Sequence, residues 1–173
     1  MTIEKFNQTI DIWIRGLSQY SFAQLCAKPS PGAWSLGQVY MHLISQTNYF
    51  VAQISICLTT NDHETEAVSP AANKMFLNNA FPNAIIEGPP SNADTPELFS
   101  KQQLEDDLMQ LKSRMNAVAA GLGKSACYGK TKHPGLGYFN GAEWLQFAEM
   151  HLRHHFRQKE RIDVFLGGEM SLR

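Results

Sequence analysis

Apolar residues recur at helical spacing in four stretches of the chain. Because an α-helix turns through about 100° per residue, positions three, four and seven apart share one face. The stretches are residues 2–27, 35–60, 100–121 and 140–168. Their regularly spaced apolar residues are, in chain order, Ile3, Phe6, Ile10, Trp13, Ile14, Leu17 and Leu25; Val39, Leu43, Tyr49, Phe50, Ile54 and Leu58; Leu104, Leu108, Leu111, Met115 and Val118; and Trp144, Phe147, Ile162 and Phe165. Each stretch therefore predicts an amphipathic helix that buries one face.

Capping and breaking residues bound these helices. Ser35 and Ser100 are good N-cap residues, and Gln38 stands where the capping-box partner of Ser35 would lie. The prolines within residues 28–32 end the first helix, because proline removes a backbone donor and restricts the residue before it. Gly167-Gly168 is expected to end the fourth helix.

Two long connections separate the later helices. Residues 61–96 contain five prolines and predict no more than a short helix over 71–79, and residues 128–140 are rich in glycine. No strand alternation persists in either segment. A connection as long as the first is usually functional when it occurs in a compact domain. The pattern predicts an all-α four-helix bundle, one domain over residues 1–173, with long connections between helices 2 and 3 and between helices 3 and 4.

Composition and charge narrow the classes of function. Of the 173 residues, 43% are hydrophobic and 18% charged, which is typical of a globular protein. The formal net charge is −1 and basic residues are scattered, which argues against a nucleic-acid partner. No apolar run approaches the roughly 20 residues that span a bilayer, and the N-terminus lacks a signal-peptide pattern. Three cysteines without Cys-x-x-Cys spacing favour reduced thiols, so we expect a cytoplasmic protein without a membrane partner.

Three of the six histidines lie on predicted helices where they would be buried. His151 and His155 are four residues apart on the apolar stripe of the fourth helix, and His42 lies on the second helix. Two histidines at i and i+4 on one helix can hold a single metal ion. Burying an imidazole costs free energy unless its nitrogens are paired. The spacing alone leaves two interpretations open, a shared metal ion or three core histidines bonded to neighbours.

The other three histidines and two glutamates of the fourth helix are not assigned to a site. His63 and His133 lie in connections and are expected at the surface, and His154 is expected at the boundary of the buried stripe. Glu143 and Glu149 do not project onto the stripe, so neither is assigned as a general base.

Gln38, Gln158 and Tyr49 are the candidates for supporting the three histidines. Gln38 lies one helical turn before His42, and Gln158 lies three residues after His155. Either amide could orient an imidazole or bind substrate, and the Tyr49 hydroxyl could donate a proton. The alternatives are a cap partner for Gln38, a solvated side chain for Gln158 and a core aromatic ring for Tyr49.

Two helical motifs and one loop resemble the DinB/YfiT-like superfamily. The motifs are Trp34-Ser-Leu-Gly-Gln-Val-Tyr-Met-His42-Leu on the second helix and His151-Leu-Arg-His-His155-Phe-Arg-Gln158 on the fourth. The loop His133-Pro-Gly-Leu-Gly137 before the fourth helix is similar as well. Because these motifs occur in the family's order with a long connection between them, the resemblance covers nearly the whole chain.

The resemblance implies a four-helix bundle with a metal site whose ligands are His42, His151 and His155. It also implies a small-molecule substrate, which for some members is a low-molecular-weight thiol, and a homodimer in some members. Three imidazoles leave a coordination position open, which is typical of a catalytic site. Zinc and nickel are the foremost candidates, with iron and manganese as alternatives. We therefore expect a divalent-metal-dependent hydrolase or thiol transferase. The alternatives are a non-catalytic metal- or ligand-binding bundle and a dimerising structural bundle with core histidines.

Overall fold

The computed structural model describes residues 3–82 and 95–170, without the side chains of residues 168–170. Its elements are α1 (Ile3–Leu17), α2 (Phe22–Cys26), α3 (Leu36–Cys57), α4 (Pro70–Asn78), α5 (Lys101–Ala119), β1 (Thr131–His133), β2 (Gly137–Phe139), α6 (Gly141–His154) and α7 (Phe156–Met170). The bundle consists of α1, α3, α5 and α6 with its continuation α7. The predicted all-α four-helix bundle is confirmed. No described helix has both the length and the hydropathy needed to span a bilayer.

Each of α1 and α3 packs against both α5 and α6. Helices α1 and α3 therefore lie at opposite corners of the bundle, and so do α5 and α6. The core between them includes the fully buried rings of Phe6, Trp13, Tyr40 and Trp144. Tyr40 crosses the bundle from α3, because its hydroxyl donates to the Trp13 carbonyl of α1 at 2.9 Å.

Contacts between helices give their directions. Asn7 near the start of α1 bonds Asn116 near the end of α5 at 2.9 Å, and Lys101 at the start of α5 donates to the carbonyl of Tyr20, just past α1, at 2.9 Å. These two helices are therefore antiparallel.

Helix α6 runs parallel to α1, because Thr9 bonds Glu149 at 2.9 Å and Trp13 donates to the Leu152 carbonyl at 3.2 Å. Helix α3 runs antiparallel to α6, because Cys57 at its end lies near Gly141 at the start of α6. It follows that α3 and α5, which are consecutive bundle helices, are parallel. Parallel consecutive helices need a crossover as long as the bundle, which explains the long connection between them.

The prediction of one continuous helix over residues 2–27 was wrong. A turn separates α1 from α2, and Ser21 caps α2 with a capping box. The Ser21 hydroxyl accepts from Gln24 N–H at 3.2 Å, and the Gln24 side chain accepts from Ser21 N–H at 2.9 Å. The turn is also held by the Tyr20 hydroxyl, which donates to Asp163 at 2.6 Å. These local and tertiary bonds outweigh the helical spacing of the apolar residues.

The fourth predicted helix is divided at His155, the one residue between α6 and α7. The His155 N–H donates to the His151 carbonyl at 3.3 Å, and its carbonyl accepts from the N–H groups of Gln158 and Lys159 at 3.1 and 3.0 Å. Beyond this point α7 continues to Met170, so the prediction that Gly167-Gly168 ends the helix was wrong. Each glycine costs a helix only about 1 kcal/mol, which tertiary packing can offset.

The second long connection contains a hairpin, so the prediction of a glycine-rich loop without strands was wrong. Strands β1 and β2 pair antiparallel with His133 opposite Gly137. Gly135 and Gly137 have φ angles of 88° and 86°, which only glycine adopts readily. Gly137 also forms a bridge with Val68, where a Cβ atom would lie 2.6 Å from the Ala67 carbonyl oxygen. The hairpin thus depends on a segment far away in the sequence.

The first long connection contains α4, close to the predicted short helix over 71–79. Ser69 caps α4 through a bond from the Ala72 N–H at 3.2 Å, and the helix packs against α6. Residues 83–94, which include Pro89 and Pro90, lie outside the described part of the chain.

Candidate metal centre

Three imidazoles converge where α3 crosses the junction of α6 and α7. His42 comes from the second turn of α3, His151 from α6, and His155 from the residue between α6 and α7. Nε2 of His151 lies 3.3 Å from Nε2 of His42 and 3.2 Å from Nε2 of His155. One ring nitrogen from each of the three lies within 4.8 Å of the others, so the group could hold a metal ion.

Burial keeps all three imidazoles neutral at pH 7. His42 is 7% exposed, and burial, with a smaller effect from His155, lowers its pKa to about 4. Burial also lowers the pKa of His155 to about 4, against an opposing hydrogen bond to Gln158. Burial and then the neighbouring imidazoles hold the pKa of His151 well below its usual range. Neutral imidazoles offer the lone pairs that a metal ion needs.

Gln158 orients one of these rings. Its side-chain oxygen lies 2.9 Å from Nδ1 of His155. An amide oxygen can only accept, so Nδ1 carries the proton and Nε2 keeps its lone pair directed at the other two rings. The buried Nδ1 of His151 has no hydrogen-bond partner among the described residues.

Between described residues, no hydrogen bond or ring contact joins Gln38 or Tyr49 to the three histidines. The predicted capping box of Gln38 is confirmed, because its side-chain oxygen accepts from Ser35 N–H at 3.1 Å. Its amide nitrogen donates to the Thr95 carbonyl at 2.9 Å. The Tyr49 ring is 40% exposed and packs edge-on against Trp144 at 5.8 Å.

The two glutamates of α6 are engaged elsewhere. Glu143 accepts from the Asn140 N–H at 2.8 Å and so completes the cap of α6. Glu149 is 4% exposed and pairs with Arg153 at 2.7 Å on the α1 side. Both carboxylates therefore have hydrogen-bond partners other than the three histidines.

The prediction that His133 lies at the surface was wrong. Its ring packs on Phe139, Trp144 and Phe147 with centroid distances of 5.1, 5.5 and 4.9 Å. Its buried Nδ1 has no hydrogen-bond partner in the described part of the chain, and burial lowers its pKa. The hairpin brings it to this aromatic cluster, and nothing in the local sequence indicates that contact.

Aromatic rings flank the three histidines. Trp34 lies 5.0 Å from the His42 ring, and Phe50 meets His151 edge-on at 5.6 Å. Phe81, from the end of the α4 connection, lies 6.3 Å from the His151 ring. Sequence reasoning missed Phe81, because a phenylalanine in a proline-rich connection carries no periodic signal.

The family profile described as the DinB superfamily matches residues 5–158. The chain belongs to the DinB superfamily. The DinB match spans α1 to the start of α7, and therefore includes all three converging histidines and Gln158. No curated protein and no solved structure gave a significant match to the chain. Family membership accordingly supports the fold, and leaves the site and its reaction to be argued from the residues themselves.

Proposed function

We propose that the chain binds one divalent metal ion through His42, His151 and His155 and is an enzyme that acts on a small molecule. The observation that carries the proposal is the convergence of three Nε2 atoms from imidazoles that burial keeps neutral. Uncharged nitrogen ligands suit zinc or nickel, with iron and manganese as alternatives. The set of donors fits the site that the DinB resemblance implies.

The three imidazoles leave at least one coordination position for water or substrate. A bound ion would supply Lewis acidity that favours the deprotonated form of a thiol or of water at neutral pH. The chain itself contributes orientation, because Gln158 fixes the tautomer of His155. The flanking rings of Trp34, Phe50 and Phe81 exclude part of the solvent from the centre.

Of the two reaction types, thiol transfer fits better than hydrolysis. Among the described residues, no carboxylate hydrogen-bonds or pairs with the three histidines, and the two glutamates of α6, Glu143 and Glu149, have other partners. Hydrolysis of an amide needs a group that protonates the leaving amine. A thiolate that attacks a carbon electrophile needs no such group when the leaving group departs as an anion. A low-molecular-weight thiol is therefore the proposed substrate.

Metal content tests the first part of this proposal. Protein purified without a polyhistidine tag or chelator should carry close to one equivalent of metal per chain, measured by mass spectrometry. His155→Ala should lose that metal. His63→Asn is the matched control, since His63 is exposed, has a φ of 58° that asparagine tolerates, and lies outside the three-histidine group. If wild type and His155→Ala bind added Zn²⁺ or Ni²⁺ equally weakly, these histidines are core residues and the proposal fails.

Activity separates an enzyme from a passive metal-binding bundle. The metal-loaded chain should accelerate conjugation of small thiols with carbon electrophiles, and His42→Ala should abolish that rate. A chain that binds metal stoichiometrically yet shows no rate above buffer with any thiol would leave only the binding function.

A further inference from the structure

We propose that the metal centre selects substrates with a flat apolar group next to the reacting atom, and that Phe81 sets this preference. The inference rests on the proposed function, because it concerns the substrate of the same centre.

The surroundings of the three histidines are aromatic. Trp34 packs on His42 at 5.0 Å and Phe50 on His151 at 5.6 Å. None of the hydrogen bonds and ion pairs between described residues joins a charged side chain to His42, His151 or His155. A positively charged group placed beside the reacting atom would lose hydration here and would also meet the like charge of a bound divalent ion, whereas an apolar group would lose nothing.

Of the two phenylalanine rings beside His151, Phe81 is the one that keeps exposed surface. Phe50 is only 3% exposed and is packed into the core, whereas Phe81 is partly exposed. Phe81 lies 5.1 Å from the His154 ring and 6.3 Å from the His151 ring. A flat group on a substrate bound at the three histidines can therefore stack against it in the offset or edge-on geometry that aromatic pairs prefer.

Hydrogen bonds from α6 hold the backbone that carries Phe81. The Asn79 residue, two positions earlier, has a φ of 47° and ends α4. Its carbonyl accepts from Arg153 at 2.8 Å, and its side-chain oxygen accepts from Gln146 at 3.1 Å. Gln146 also donates to the carbonyl of Phe76 at 3.0 Å. The end of the α4 segment is thus tied directly to the helix that bears His151.

The side chain of Arg153 is also held by a second partner, Glu149. Its guanidinium donates to both carboxylate oxygens of Glu149 at 2.9 and 2.7 Å, and the Glu149 side chain is 5% exposed. Because this bidentate pair is anchored on α6, the backbone two residues before Phe81 is held in place before a substrate arrives. Positioning in advance reduces the ordering cost of binding.

Thiol binding to the cobalt-loaded chain tests the inference without relying on turnover. Co²⁺ replaces the resident metal, and the thiolate-to-cobalt absorption is titrated with 2-phenylethanethiol and with 2-mercaptoethanol. The wild type should prefer the aromatic thiol. Phe81→Ala should lower that preference about two- to tenfold, the range expected for one aromatic pair, while Phe81→Tyr should retain it. Leu77→Ala is the control, because Leu77 is 78% exposed on α4.

The outcomes are distinguishable. Suppose that cobalt and both thiols bind, and that Phe81→Ala leaves the ratio of the two thiol affinities unchanged. This result would overturn the role of Phe81 and leave the metal function standing. A wild type that does not take up Co²⁺ would overturn both proposals. If Phe81→Ala does not fold, Phe81→Leu supplies the same comparison, since leucine stays apolar but has no ring.

Discussion

Replacing Gln158 with leucine should weaken metal binding about 10- to 100-fold, the usual effect of removing a residue that orients a ligating histidine. The Gln158 oxygen lies 2.9 Å from Nδ1 of His155, a normal hydrogen-bond distance. Leucine has a similar volume but no acceptor. The Nδ1 proton then loses its partner, and the tautomer with the proton on Nε2, where the metal would bind, becomes accessible. The expected cost is about 1.4 to 2.8 kcal/mol of binding free energy.

Competition with a chromophoric chelator measures this change directly. Metal-free wild type and variants are titrated with Zn²⁺ in the presence of the chelator, and dissociation constants are compared at one pH. Gln110→Leu is the matched control, because Gln110 is exposed on α5. Gln158→Glu should bind at least as tightly as wild type, because a carboxylate is a stronger acceptor for the Nδ1 proton.

Equal zinc affinity in wild type and Gln158→Leu would refute the reasoning. It would mean that His155 does not bind through Nε2, or that its tautomer is set by something other than Gln158. Equal losses in Gln158→Leu and Gln110→Leu would show that the effect is not specific to His155.

Two further predictions concern the metal-free chain. Glu149→Ala should lower the free energy of unfolding by about 2–3 kcal/mol, less than for a fully buried pair because the Arg153 side chain is 39% exposed and can be hydrated. Urea denaturation should show this loss, with exposed Glu160→Ala within about 0.5 kcal/mol of wild type. Stability should also fall as pH drops from about 6.5 to 4, because the unfolded chain protonates His42 and His155 near pH 6.5 while the folded chain does so near 4. Each group contributes at most about 3 kcal/mol, and unfolding free energies that match at pH 7 and pH 5 would contradict this.

Local signals in the sequence account for much of the fold. The capping box at Ser35 and the N-cap at Ser100 were predicted from residue types alone, and both caps are present. Capping involves residues within one turn of each other, so it can be deduced without knowing the fold. The i, i+4 spacing of His151 and His155 also lies within one helix. Their approach to His42 depends instead on α3 packing against α6, which the family resemblance implied and spacing alone did not.

Contacts between distant segments explain what was missed. Strand β2 bridges Val68, and the ring of His133 is buried by Phe139, Trp144 and Phe147. These pairings involve the two long connections, whose glycine- and proline-rich sequences carry no periodicity. Gln158 shows another limit of prediction from sequence. Helical spacing placed it near His155 but could not distinguish a hydrogen bond to the His155 ring from a solvated side chain.

Phe81, the ring that we propose selects the substrate, comes from a connection and not from a bundle helix. The directions of the helices explain why. Helices α3 and α5 run parallel, so the chain must return along the whole bundle after α3 ends. The described part of this return that contains α4 lies over α6, where Gln146 and Arg153 bind Asn79. The three histidines lie on or between helices that the core holds, whereas Phe81 lies on this returning segment. Substitutions in the segment can therefore alter which substrate is accepted without altering metal binding, and the Phe81 variants test that separation.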